Sequence, residues 1–290
     1  CISYDFIDQF EDLPKNKNDV TKDPDYVLYF LDNLFLIDHK ENKTFFVANA
    51  LIMGEDRDKV YDECKSKIEK YKGDINKNIN EKISIGKKIS LNRNFFAKVK
   101  IESDTSEEEF IELVKKIKEN IIAGDVYQAV LSRTISLDFN KEPLEVYKRL
   151  RELNPSPYMF YINDGDGILL GASPEMSLRV LGDEKKIAEI RPIAGTKPRG
   201  LIGNKVDIDL DSRYETELKI DAKEISEHIM LVDLARNDVA KISKSGTRYV
   251  DEPFIVEKYS HVQHLVSNVR GILKEDLDAL HAYIATMNMG

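Results

Sequence analysis

Glu224 and Glu227 stand three residues apart in the stretch DAKEISEHIMLVDLARNDVAKI (221–242), and on a helix they share a face with Asp221 and His228. Two carboxylates one turn apart can hold a hard cation such as Mg²⁺ and leave positions open for water and an anionic substrate. The same spacing also suits a plain solvated face. Three further places carry chemistry. In RPIAGTKPRG (191–200) the small residues around Gly195 let backbone N–H groups approach an anion, and the Thr196 hydroxyl adds a donor, although a simple Gly/Pro turn has the same composition. His264, on a strand with Val262 and Val266, suits proton transfer or a satisfied structural position. Glu175 follows Pro174 at a strand break, where a carboxyl held between apolar strands suits a general acid and a surface turn is the plainer reading.

The elements that must position these groups are legible in outline. Within 221–242 a stripe of Ile225, Ile229 and Val232 gives way to Asp233, Arg236, Asn237 and Asp238 where core is expected, so those charges need partners; Asp233 and Arg236 are spaced to pair with each other. Ser106 with Glu109 forms a capping box ahead of Phe110, Val114, Ile117 and Ile121, and Gly124 is placed to end that helix. Residues 25–52 read as a β-meander, YVLYFL, LFLID and TFFVANALI, with the first two strands covered on both faces. A charged helix follows over 56–71. Short strands predominate from DVYQAVLSRTISLDF (125–139) to KKIAEIRPIAG, interrupted by a helix near 143–153. Strand resumes in FIVEKYSHVQHLVSNVRGIL, and a last helix starts near Asp278. Strands interrupted by helices without βα alternation predict an α+β fold. The expected organisation is an N-terminal lobe over 1–73, a Lys/Asn/Ile-rich linker over 74–105, and a second domain over 106–290.

A chain of 290 residues suits one large domain or two closely packed lobes. Its net charge of −9 argues against nucleic acid as a partner, since such binding draws its affinity from basic surface. There is no apolar run of membrane-spanning length and no signal-like start, so a cytoplasmic protein is expected. Cys1 and Cys64 have neither metal-ligand spacing nor a disulfide pattern. The chain starts at Cys1 rather than Met and ends in MNMG on a helix-like pattern, so a piece of a longer protein is expected.

Taken in order, SYDFIDQFEDLP (3–14), GDVYQAVLSR (124–133), NPSPYMFY (154–161), GASPE (171–175), IRPIAGTKPRG (190–200), DLDSR (209–213), EISEHIMLVDLARND (224–238), YSHVQHLVS (259–267) and DLDALHAYIATMNMG (276–290) resemble the chorismate-utilising enzymes, most closely anthranilate synthase component I. The resemblance implies two facing antiparallel β-sheets with helices outside. It implies a Mg²⁺-dependent reaction in which chorismate takes up ammonia and loses water and then pyruvate, giving anthranilate. By the same resemblance Glu227 is a metal ligand with Glu224 beside it, Gly195 and Thr196 contact substrate, Glu175 protonates the departing ring hydroxyl, and His264 serves the aromatising elimination.

Two positions separate the subfamilies. Isochorismate and salicylate synthases carry a lysine, the base for water, where this chain has Gln128, and an amide cannot deprotonate water. Many aminodeoxychorismate synthases carry a lysine where this chain has Ala194. Aminodeoxychorismate or isochorismate synthesis, and a non-catalytic tryptophan-binding or assembly module, are the alternatives. The resemblance further implies feedback inhibition by tryptophan at a site that includes Pro157, Tyr158 and Met159, and a glutamine amidotransferase subunit, component II, as the ammonia source. The family continues past MNMG into further substrate-holding and metal-binding residues, so the 290-residue chain alone is expected to be inactive.

Overall fold

The computed structural model describes residues 1–13, 22–78, 100–139, 141–203 and 205–287. Its contacts divide into two compact units, Cys1–Ala97 and Lys98–Gly290. In the first, a 3-10 helix over Tyr4–Gln9 precedes the hairpin β1 (Asn33–Asp38) and β2 (Lys43–Ala48), followed by α1 (Arg57–Asn78). The hairpin turns where the Asp38 carboxylate accepts from the Lys40 and Glu41 N–H groups. The expected three-stranded meander is a hairpin. Among the described residues YVLYFL makes strand pairing through a single bridge from Tyr26 to Ile2, because its backbone turns to the N-terminal residues: Val27 N–H donates to Cys1 O. Nor are the first two runs covered on both faces, since Leu28 is 78% exposed and Phe35 in β1 is 52% exposed. The helix expected over 56–71 runs on to Asn78, while most of the expected linker, 79–99, lies outside the described residues.

The second unit runs β3 (Ile101–Ser103), α2 (Glu107–Ala123), β4 (Ile135–Leu137), α3 (Pro143–Leu153), β5 (Tyr158–Asn163), β6 (Ile168–Ser173), β7 (Met176–Leu181), β8 (Ile187–Arg191), β9 (Ile193–Pro198), β10 (Leu201–Ile202), β11 (Lys205–Val206), α4 (Ile208–Ile220), α5 (Ala222–Ile242), β12 (Tyr249–Lys258), β13 (Val262–Ile272) and α6 (Ala279–Thr286). The capping box at Ser106 and Glu109 forms, and Gly124 closes α2 in the left-handed region at φ 85°. The long strand-rich reading of 125–139 shrinks to β4.

The fold is α+β with antiparallel sheets. A five-stranded sheet runs β12-β13-β8-β7, with β9 also on β13; the other described strands form two-stranded ladders. Strand β13 is the axis, since β8 and β9 occupy successive lengths of one of its edges and β12 the other. Two apolar clusters fasten α5 to this sheet: Ala235 and Val239 against Ile190 and Val269, and Ile242 against Ala188, Leu273 and Ala282. Each fully buried Val, Leu or Ile side chain contributes about 1.5–3 kcal/mol, and each alanine less.

The buried face of α5 therefore reads His228, Ala235, Val239, Ile242, whereas Ile229 from the expected apolar stripe is 52% exposed. The charged segment sorts itself in the same way. Asp233 and Arg236 pair at 3.1 Å on the outside, while Asp238 is buried and bonded to Lys241 at 2.7 Å.

Candidate active site

Asp221 does not belong to the acidic face. Its carboxylate accepts from the N–H groups of Lys223 and Glu224 and so caps α5, satisfying donors that a helix start leaves open. Glu224 and Glu227 remain, one turn apart and both partly buried. Glu227 accepts from the Gln128 side-chain amide at 3.3 Å, which joins the irregular segment after α2 to the helix. Glu224 has the mostly exposed Lys223 ammonium 3.6 Å away.

On the strand side, β9 carries a bulge. His264 faces Thr196 and Leu265 faces Ala194, so Gly195 is the extra residue, at φ 64° in the left-handed region that glycine adopts freely. A β-carbon at Gly195 would stand 3.1 Å from Glu224 Oε2 and 3.0 Å from the buried Leu218. The bulge therefore presses bare backbone against the acidic helix. His264 Nδ1 lies 3.2 Å from Gly195 O and 3.0 Å from Thr196 Oγ1. The carbonyl only accepts, which assigns the proton to Nδ1 and leaves Nε2 with its lone pair. The sequence-derived residues His264, Gly195, Thr196, Glu224, Glu227 and Gln128 thus form one connected set.

The remaining candidates lie elsewhere. Glu175 sits exposed in the turn between β6 and β7, where its N–H donates to Ser173 Oγ, and no described contact links its carboxyl to that set. Pro157 precedes β5, and Tyr158 and Met159 pair with Ser173 and Ala172 across the β5-β6 ladder.

Two networks that sequence reasoning missed hold the set in place. Asp211 on α4 is 4% exposed and binds Arg199 through two hydrogen bonds, 2.7 and 3.1 Å, the Gly200 N–H at 2.9 Å, and Lys258 at 3.0 Å. The Arg199 guanidinium, helped by Gly200 and Lys258, holds that carboxyl well below the usual range despite burial. Arg199 also donates to Tyr259 O at 2.5 Å, tying the end of β9 to the turn ahead of β13.

In the second network Arg191 pairs with Glu257, which accepts from the Tyr259 hydroxyl at 2.8 Å; the Tyr259 ring meets His264 edge-on at 5.6 Å. Burial, then the Glu257 carboxylate, pushes the Tyr259 phenol up to about 12, so it stays a donor. The signal was in DLDSR and YSHVQH, since a charge next to an apolar strand requires a partner, but only the fold names that partner.

The donor set fits Mg²⁺, which is commonly held by one or two carboxylates and completed by water and substrate oxygens. Among the described residues no group of three or more His, Cys, Asp or Glu is gathered as a metal cluster. His228 follows Glu227 but is fully buried, and burial lowers its pKa, keeping the ring neutral.

A family profile described as chorismate binding enzyme matches residues 1–290. The chain belongs to that family. It is 43% identical over 290 residues to anthranilate synthase component 1 of Vibrio cholerae serotype O1, covering 100% of this chain and 53% of the relative. The component 1 protein of Buchnera aphidicola subsp. Rhopalosiphum maidis is also 43% identical, over 291 residues, with 54% of it covered. The chain thus spans about half the length of these curated relatives. The crystal structure of anthranilate synthase component I from Streptococcus pneumoniae TIGR4 superposes with a TM-score of 0.76 at 27% identity, over 99% of this chain and 59% of that one. A 2,3-dihydroxybenzoate-specific isochorismate synthase structure from Bacillus anthracis matches with a TM-score of 0.55 at 24% identity over 70% of the chain and shares the fold alone. Among the described residues no helix is long and apolar enough to cross a membrane.

Proposed function

We propose that the whole protein is the large subunit of an anthranilate synthase, converting chorismate and ammonia to anthranilate and pyruvate. The observation that carries this reading is the Gln128 amide at 3.3 Å from Glu227. A lysine there would set a base beside the metal carboxylate and activate water, whereas an amide orients the carboxylate and takes no proton. Ammonia brings its own lone pair and needs no such base.

Glu227 and Glu224 would hold Mg²⁺, which when bound neutralises a carboxylate of the dianionic substrate and fixes the ring. In the first step the C–N bond forms as the ring hydroxyl leaves. The family resemblance gives Glu175, which no described contact joins to the other candidates, the role of supplying the proton that makes the leaving group water. In the second, His264 takes the ring proton on Nε2, the C–O bond to the enolpyruvyl group breaks, the ring becomes aromatic, and the enolpyruvate is protonated to pyruvate. Gly195 supports this by keeping the His264 proton on Nδ1. Thr196 contacts substrate. Pro157, Tyr158 and Met159 belong to a tryptophan feedback site, and a glutamine amidotransferase subunit delivers the ammonia.

The test is product analysis of the whole protein with chorismate, ammonium and Mg²⁺ by fluorescence and mass. Anthranilate with one equivalent of pyruvate is expected, and none from the 290-residue chain alone. Isochorismate, or aminodeoxychorismate without pyruvate release, would overturn the assignment.

A further inference from the structure

A buried side-chain pair joins the acidic helix to the strand that carries His264. His228, adjacent to Glu227 on α5, is fully buried; its Nε2 lies 2.7 Å from Ser267 Oγ on β13, three residues past His264. Ser267 is also fully buried, and its Oγ accepts from the Phe254 N–H at 3.0 Å. Phe254 sits in the irregularity of β12 between Asp251 and Ile255, where Glu252 and Phe254 take φ of 47° and 57°. Such backbone is costly for residues other than glycine and persists only where its surroundings fix it. Here the ring of Phe254 meets His228 edge-on at 5.3 Å, and its N–H is spent on Ser267 rather than on the ladder.

Donor counting sets the direction of the bonds. Among the described residues His228 Nδ1 has no hydrogen-bond partner. If Nε2 donated to Ser267, the serine proton and Nδ1 would both be stranded. If Ser267 donates to Nε2, only the Nδ1–H is left over, so this arrangement strands fewer groups. Ser267 is then a saturated relay, accepting from β12 and donating to α5.

We infer that His228 and Ser267 are positioning residues that lock the rotation of α5, and with it the Glu224 and Glu227 carboxylates, against the His264 strand. The bond acts at the N-terminal half of α5, ahead of the Ala235, Val239 and Ile242 contacts that anchor its C-terminal half. The inference rests on the metal-binding reading of Glu227 in the preceding section.

The test titrates the whole protein with Mn²⁺, followed by electron paramagnetic resonance, beside chorismate turnover and circular dichroism. Ser267→Ala removes only an oxygen, and is expected to weaken Mn²⁺ binding about tenfold with an unchanged dichroism spectrum. His228→Gln, which offers an acceptor near the Nε2 position, should stay within about twofold of wild type, and His228→Asn, too short to reach, should match Ser267→Ala. A purely structural role would lower folding stability in all three without ranking them by acceptor reach. Equal Mn²⁺ affinity in wild type and Ser267→Ala, or His228→Gln as weak as His228→Asn, would overturn the lock alone. Wild-type protein that binds no Mn²⁺ would overturn both the lock and the metal reading beneath it.

Discussion

Gly195→Ala tests the contact between strand and helix most directly. Two costs are set by the structure. At φ 64° an L-residue is in the left-handed region, worth about 1–2 kcal/mol against alanine. The new methyl also meets Leu218 Cδ1 at 3.0 Å and Glu224 Oε2 at 3.1 Å, and overpacking of this kind costs about 1–3 kcal/mol. Leu218 is completely buried and has little room to move, while the Glu224 side chain ends nearer to solvent. The carboxylate gives way first, so the stability loss falls toward the low end, about 2–3 kcal/mol, and the displaced group is the one assigned to the metal. Denaturant unfolding read alongside Mn²⁺ affinity should show both effects in the whole protein. A variant within about 0.5 kcal/mol of wild type and with unchanged metal affinity would refute the claim that bare backbone is needed there.

Asp211→Asn removes a carboxylate that Arg199 and Lys258 share, and breaking a buried pair of this kind costs about 3 kcal/mol at neutral pH. Because the folded-state pKa of Asp211 is depressed below the ordinary 3.8, its contribution is complete above that value and lost as pH falls below it; wild-type and variant stabilities should converge in acid, and parallel curves would contradict the linkage. Gln128→Lys places an ammonium beside Glu227 at an exposed position, where an ion pair is worth at most about 1 kcal/mol. Mn²⁺ affinity should fall by up to about fivefold at low salt and recover at high salt; a loss that ignores salt would point to disturbed packing instead.

The sequence pattern located elements well where local chemistry decides them. The Ser106 box, Gly124, the helix of residues 143–153, and the helix start at Asp278 depend on side chains within four residues of each other, and all four form as read. YVLYFL did not, because an apolar run says that a stretch seeks cover but not which chain segment pairs with it; the backbone at Val27 found Cys1. Asp221 failed for a related reason. Its spacing placed it on the acidic face, but the residue that precedes a helix spends its carboxylate on the first N–H groups. The candidate site residues were named by resemblance, whereas the groups packed around them were not, because Asp211, Glu257 and His228 pair with partners 12, 66 and 39 residues away.

The two irregularities that join the sheet to the candidate acidic face are invisible to periodicity for a common reason. A strand pattern assumes two residues per repeat along both partners, so it cannot register a residue that one strand has and its neighbour lacks. β13 is flanked by such irregularities on both sides. On the β9 side, the extra Gly195 moves backbone toward Glu224 and gives His264 Nδ1 a carbonyl. On the β12 side, the break after Asp251 frees the Phe254 N–H for Ser267, which then serves His228 beside Glu227. Both departures end on the same helix turn, residues 224–228. The strand contacts of the candidate acidic face thus come from the irregular places in the sheet beneath it.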